Sequence, residues 1–147
     1  SYETGANSFR KLGLTTQVSN ETVIATNKAY RKIKIDNINL KFIPKRVDVN
    51  DDEIYLVQIL DAIKDINKIP ATTPNEVIKY LKEIIKKESF ENQNKLTKFA
   101  LKYTPRTRAI LGAIFNFVSI SSGLRKTGSN SDIFLVFPNK GRGLPLA

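Results

Sequence analysis

The sequence predicts an α+β fold, in which a small and mostly antiparallel sheet packs on about four helices. Three observations lead to this prediction. Short segments with strand character lie within the first 44 residues. From residue 50 onward, apolar residues recur at helical spacing behind residues that suit helix N-caps. A continuous apolar run occupies 133–137. The 147 residues suit one domain around a single core, so we expect 1–147 to form a single domain.

Three strands are predicted near the start of the chain. The first covers 22–26 and is rich in β-branched residues, while 30–35 and 38–42 alternate polar and apolar residues. Asp36 and Asn37 separate the last two strands and suit a two-residue hairpin turn, because both tolerate positive φ.

The two faces of this hairpin differ in chemistry. We expect the apolar face to meet the core; its members are Ile33, Ile35, Ile38, Leu40 and Phe42. Lys32, Lys34 and Lys41 point the other way, toward solvent or a partner. Before the strands, residues 5–12 are expected to form a short helix or turn that ends at Gly13.

The first long helix is predicted to begin at a cap on Asn50 or Asp51 and to end before Pro70. Its apolar stripe has helical spacing and passes through Leu60 or the adjacent Asp61. This helix supplies the expected layer over the sheet.

Three further helices follow in the prediction. One begins at a capping box at 73–76, one covers about 93–103, and one opens at 104–105 and continues to 118. The last has Arg106 and Arg108 in its first turn, where the helix dipole disfavours positive charge. Such a local conflict is sometimes functional.

The end of the chain is predicted to return to the sheet. Residues 133–137 are continuously apolar and indicate a buried strand, and the tail at 138–143 is basic. Because Met is absent, we expect Ser1 to be the start of a domain cut from a longer protein.

Composition narrows the classes of function. Cys and His are both absent, which removes disulfides, thiolate chemistry, the commonest metal ligand and the commonest general base. No apolar run approaches the roughly 20 residues of a membrane-spanning helix. No signal peptide is recognisable, so a cytoplasmic location is expected.

The net charge of +10 is concentrated at the two ends of the chain. Residues 1–50 carry nine Lys or Arg against four Asp or Glu, and 101–147 carry seven against one, whereas 51–100 are close to neutral. A basic excess favours a nucleic-acid or acidic-protein partner, and simple solubility is the alternative.

Catalytic interpretations find little support in the residues. The glycine-containing loops at 123–128 and 141–143 lack the Gly-Lys-Ser/Thr ending of a nucleotide site. A metal-dependent nuclease would have to draw its carboxylates and lysine from Asp36, Asp48, Asp132 and Lys140. Asp36 is better explained by the turn, so no catalytic residue, metal or cofactor is expected.

Two stretches carry a resemblance to a known family. Gly5-Ala6-Asn7 is followed by Leu12-Gly13-Leu14-Thr15-Thr16-Gln17-Val18 and by a basic strand at 31–35, and a proline-and-arginine helix start occupies 103–111. These motifs resemble those of the AbiEi-like antitoxin family, best over 4–46 and more weakly over 101–111. The glycine- and arginine-bearing tail has no counterpart in that pattern.

The resemblance implies a binding module that is not an enzyme. Members of the family are bacterial antitoxins and transcriptional regulators of type IV toxin–antitoxin systems, which act in abortive infection of phage. An N-terminal winged helix-turn-helix binds the operator DNA, the domain after it supplies antitoxin activity, and the partner toxin is a nucleotidyltransferase encoded nearby. This chain would be the second domain, with the helix-turn-helix missing before Ser1, and no membrane partner is expected.

Basic residues are the expected contacts to a toxin or to nucleic acid. Together they are expected to form a continuous surface, in which arginine suits bidentate contacts to carboxylate or phosphate. The predicted contacts are Lys32, Lys34, Lys41, Lys45, Arg46, Arg106, Arg108, Arg125, Lys126, Lys140 and Arg142. The alternatives are an independent nucleic-acid-binding domain and, less favoured, a metal-dependent nuclease.

Overall fold

The computed structural model describes residues 1–28 and 33–122 and confirms the α+β class. Four strands and five α-helices form within these residues, and the first helix covers 6–11, where a short helix or turn was predicted. They are β1 (Tyr2–Thr4), α1 (Ala6–Lys11), β2 (Glu21–Thr26), β3 (Ile33–Ile35), β4 (Ile38–Pro44), α2 (Ile54–Lys64), α3 (Pro74–Lys86), α4 (Phe90–Ala100) and α5 (Pro105–Ser122). The chain divides into two compact units, one covering Ser1–Val77 and the other beginning at Ile78.

The sheet belongs to the first unit and has the strand order β1-β2-β4-β3. Two of its three pairings are antiparallel, whereas β2 and β4 run parallel. Asp36 has φ of 56° in the turn between β3 and β4, which confirms the predicted hairpin. The strand predicted at 133–137 lies outside the described residues.

The register of the hairpin confirms which residues share a face. Ile33 lies opposite Leu40 and Ile35 lies opposite Ile38. The parallel pairing adds Ile24 beside Phe42 to the same side of the sheet. The alternation read from the sequence therefore describes the hairpin itself correctly.

The prediction that this apolar face meets the core is wrong. Tyr2 and Thr4 of β1 point to the opposite side, where both hydroxyls reach Asp61 of α2. Helix α2 therefore packs on the side that carries Tyr2, Thr4 and Ala25, all of which are buried. Ile35 and Ile38 remain 54% and 50% exposed, because they lie on the side of the sheet away from α2. The strand whose side chains bond to α2 is β1, which the sequence did not predict.

Truncation of Phe42 is expected to lower the stability only slightly. Phe42 is only partly buried, so Phe42→Ala is expected to cost about 1 kcal/mol rather than the roughly 3–5 kcal/mol of a buried phenylalanine. Lys41→Ala serves as the neighbouring control and should stay within about 0.5 kcal/mol. Chemical denaturation of both variants gives the comparison; a cost at Phe42 equal to that of a fully buried phenylalanine would place this face inside a core.

Of the three helices after residue 70, α3 and α5 begin at the predicted caps. At the start of α3, the Thr73 main-chain N–H donates to Glu76 Oε1 at 3.2 Å and the Glu76 N–H donates to Thr73 Oγ1 at 3.3 Å. Helix α4 begins earlier than predicted, because the Ser89 hydroxyl accepts the N–H of Asn92 at 3.1 Å. Thr104 caps α5 in the same way, through the N–H of Thr107.

Each unit has its own buried apolar side chains. In the first unit α2 supplies most of them, and in the second unit α4 and α5 contact each other. The largest buried side chains of the second unit are Leu81, Ile85, Leu96, Leu111 and Ile114. Within the described ranges, no helix combines the length and apolar character that a membrane crossing requires.

Candidate partner-binding cleft

A cleft of about 400 Å³ opens in the first unit where β4 ends beside the last turn of α2. The main-chain N–H of Lys45 donates to the carbonyl of Thr26 at 3.3 Å, which extends the β2–β4 ladder to the cleft. Three basic side chains meet at this place around one buried carboxylate. The lining residues are Tyr2, Ile43, Pro44, Lys45, Arg46, Asp61 and Lys64.

Asp61 holds one wall of the cleft in position. The residue is 4% exposed, and its Oδ2 accepts hydrogen bonds from the Tyr2 hydroxyl at 3.0 Å and the Thr4 hydroxyl at 2.7 Å. The Gln58 side-chain amide adds a third link by donating to the carbonyl of Glu3 at 2.8 Å. These bonds fix β1 on α2, since a buried carboxylate is tolerated only when its oxygens are hydrogen-bonded.

The basic side chains of the cleft differ in accessibility. Lys45 lies 3.0 Å from Asp48 and Lys64 lies 2.9 Å from Asp65, and both lysine side chains are mostly covered. Arg46 is exposed. Both lysine charges are therefore balanced by a neighbouring carboxylate, and Arg46 is the most exposed basic residue among those that line the cleft.

The hydrogen bond from Lys45, together with its positive charge, holds the pKa of Asp48 below its ordinary value. A depressed carboxyl pKa adds stability that is present at neutral pH and is lost as pH falls through the folded-state pKa. Because Asp48 is fully exposed, we expect Lys45→Gln to raise the pKa of this carboxyl with little change in stability at pH 7.

Carboxyl titration by NMR checks this expectation. Lys64→Gln is the matched control and should leave the Asp48 titration where it is. An Asp48 curve that Lys45→Gln does not move would show that the ion pair is absent in solution.

The structure brings only part of the predicted basic set together. Lys45 and Arg46 lie at the cleft, while Lys34 and Lys41 share the sheet face on the α2 side. Both lie on the side of the sheet that carries α2, so the expectation that they point away from the core is wrong, although Lys34 is exposed and Lys41 is half-buried. The remaining predicted contacts of the sheet and tail lie outside the described residues: Lys32, Arg125, Lys126, Lys140 and Arg142.

Arg106 and Arg108 stand in the first turn of α5, in the second unit. Arg106 is exposed, whereas Arg108 is half-buried and donates from Nη1 to the carbonyl of Tyr103 at 2.6 Å. This bond satisfies a main-chain carbonyl just beyond the end of α4. It gives the arginine a structural role that explains its place against the helix dipole.

Sequence reasoning missed Lys64, Tyr2 and Asp61 as members of the cleft. One signal was present for Asp61, because an acidic residue stands inside the otherwise apolar run 59–63. An ionisable residue in a buried helix face needs a partner from another element. Tyr2 and Lys64 carried no comparable signal.

The described residues hold no group of three Asp or Glu placed to bind a metal ion together. The carboxylate of Asp61 is already hydrogen-bonded to two hydroxyls, and those of Asp48 and Asp65 pair with lysines. The chemistry that the cleft offers is thus ion pairing and hydrogen bonding.

Comparison with known proteins places the chain in a family. A family described as "Family of unknown function (DUF6088)" matches residues 2–96, which include the whole cleft. The chain therefore belongs to this family. No curated protein and no solved structure shows significant similarity to it.

Proposed function

We propose that this DUF6088 protein is a non-catalytic binding module, the antitoxin and transcriptional-regulator domain of an AbiEi-like type IV toxin–antitoxin system. The basic cleft at the end of β4 is the observation that supports the proposal. It presents Arg46 to solvent beside Lys45 and Lys64, on a wall fixed by Asp61. Such a site suits a carboxylate on the surface of a partner protein.

The partner that fits this module is a nucleotidyltransferase-type toxin encoded nearby, met in the cytoplasm. The chain carries a net charge of +10, so an acidic face on the toxin would be attracted over a distance and oriented before contact. Arg46 would then make the bidentate contact. Operator DNA would be bound mainly through the winged helix-turn-helix domain of the full-length protein.

An independent nucleic-acid-binding domain is the second candidate. One observation favours it: Lys34 and Lys41 lie on one face of the sheet, and Lys45 continues the same alternation beyond the end of β4. Lysines on one face of two neighbouring strands can contact a phosphate backbone.

Neutralisation of the toxin in cells tests the first candidate. Full-length protein is co-expressed with the neighbouring nucleotidyltransferase, either as wild type or with Arg46→Gln and Lys64→Gln together. We expect this pair of substitutions to lower growth rescue strongly, since it removes two of the three positively charged side chains that line the cleft. The matched control, Lys79→Gln with Lys86→Gln, removes the same charge from exposed positions on α3 and should rescue growth fully.

Equal rescue by the two pairs, at equal protein levels, would remove the cleft from the proposal. Titration with duplex DNA at several salt concentrations addresses the second candidate. Low-micromolar binding or better by residues 1–147, with a steep loss of affinity as salt rises, would favour direct nucleic-acid binding.

A further inference from the structure

The loop between α1 and β2 is held in place by side chains that the proposed function does not use. The Asn7 amide donates to the carbonyl of Ser19 and accepts the N–H of Ser19, both at 3.0 Å. At the other end of the loop, the Thr15 hydroxyl donates to the carbonyl of Pro70 and accepts the N–H of Gln17. The Gly-Ala-Asn and Thr-Thr-Gln-Val motifs therefore build a fixed loop.

Val18 is an exposed hydrophobic residue on this loop, residues 12–20, here called the Val18 loop. The residue is 71% exposed, and within the described part of the chain its N–H and C=O have no hydrogen-bond partner. The N–H of Gln17 and both main-chain groups of Ser19 are bonded within the loop, so the main-chain groups of Val18 lie between two anchored neighbours. A main-chain N–H and C=O without a partner in an anchored segment can pair with an added strand.

A cavity of about 550 Å³ lies directly beside this main chain, a size typical of ligand sites. Among the described residues, none of those that line it is charged, in a chain whose net charge is +10. Its walls are three apolar groups, one hydroxyl and two amides: Ala6, Val18, Pro70, Ser19, Gln17 and Asn20. The Ser19 hydroxyl is already bonded to the main chain of Glu21, which leaves the two amides as the polar groups available to a ligand.

We propose that the Val18 loop is a docking site for an extended peptide segment of a protein partner. The peptide pairs its main chain with the N–H and C=O of Val18 and places an uncharged side chain in the cavity. Gln17 and Asn20 hydrogen-bond to its amides, and Val18 and Pro70 contact its apolar side chain. This site is independent of the basic cleft and of what binds there.

The lining of the cavity favours a peptide over single-stranded nucleic acid. Binding of unpaired bases uses aromatic side chains for stacking and basic side chains for phosphates. The described residues that line this cavity include neither kind. Amide and small apolar groups beside a free main chain instead match the pattern of strand addition.

The test uses a phage-displayed library of random peptides, about 12 residues long, selected against the whole chain. Selected peptides are synthesised and titrated into the ¹⁵N-labelled protein. We expect the Val18 amide to shift and to become protected from exchange with water. Val18→Pro removes that N–H and should weaken binding about tenfold or more, while Val18→Ala keeps it and loses only part of the apolar contact, so it should bind clearly more tightly than Val18→Pro.

Val18→Pro should fold, because the position is exposed and its N–H has no partner among the described residues; thermal unfolding confirms this. The exchange measurement needs no variant and stands if the proline variant does not fold. The proposal is overturned if no peptide is selected, if Val18→Pro binds selected peptides as wild type does, or if the Val18 amide stays unchanged at saturation. A pool of single-stranded RNA that shifts the amides of 17–20, without peptide binding, would also overturn it.

Discussion

Replacement of Asp61 by alanine is expected to lower the free energy of unfolding by about 2–6 kcal/mol. The change leaves the hydroxyls of Tyr2 and Thr4 buried without an acceptor, and each unsatisfied group costs about 1–3 kcal/mol. Since a domain of this kind is stable by only about 5–15 kcal/mol, the variant should be close to its unfolding limit. Urea denaturation followed by circular dichroism measures the effect.

Asp61→Asn is the matched control. It keeps one side-chain oxygen and nearly the same shape, so its cost should be clearly smaller than that of alanine. Thr4→Val in the Asp61→Ala background should recover part of the lost stability, because it removes one of the orphaned hydroxyls. Equal stability of Asp61→Ala and wild type would mean that this buried network does not form.

Gly5→Ala is expected to cost about 2–4 kcal/mol, from two sources that act together. Gly5 has φ of 82° and ψ of −165°, a region that residues with a Cβ avoid at about 1–3 kcal/mol. A Cβ built there would also lie 2.9 Å from Cγ2 of Val23, closer than packed atoms tolerate. Thermal and urea unfolding give the magnitude.

Gly13 provides the comparison. It has φ of 88° at the end of α1, so Gly13→Ala carries the backbone penalty, about 1 kcal/mol. In a double-mutant cycle, Val23→Ala should couple to Gly5→Ala by relieving the contact. Strictly additive costs would show that Val23 does not limit the space at Gly5.

The local parts of this fold could be predicted because they depend on neighbouring residues. The alternation of polar and apolar residues at 33–42 and the Asp36 turn were enough to predict the hairpin. The threonines at 73 and 104 were enough to predict where two helices begin. Each of these features is settled within a few residues of chain.

Features that depend on distant residues could not be predicted. Strand β1 has three residues, and its position depends on hydrogen bonds to Asp61, which lies 57 residues beyond Thr4. Without β1, nothing in the alternation of β3 and β4 indicates which face meets α2. The cleft has the same origin: Lys45 and Arg46 were recognised as basic, but Lys64 joins them only because α2 is fixed on β1.

Arg108 shows that an unfavourably placed charge can have a structural reason. Its place in the first turn of α5 conflicts with the helix dipole, and the sequence suggested a binding role. The bond from its guanidinium to the carbonyl of Tyr103 accounts for the position within the second unit. Arg46 has the exposure and the setting that we expect of a partner contact.

Binding of an acidic partner protein at the cleft around Arg46 can be measured as an affinity. Isothermal titration calorimetry of the full-length protein with the proposed nucleotidyltransferase partner gives the Kd of wild type and of Arg46→Gln with Lys64→Gln. We predict a loss of about tenfold or more for this pair, equivalent to about 1.4 kcal/mol, while Lys79→Gln with Lys86→Gln stays within about twofold. An unchanged Kd for the cleft pair, or no binding by the wild type, would contradict the account.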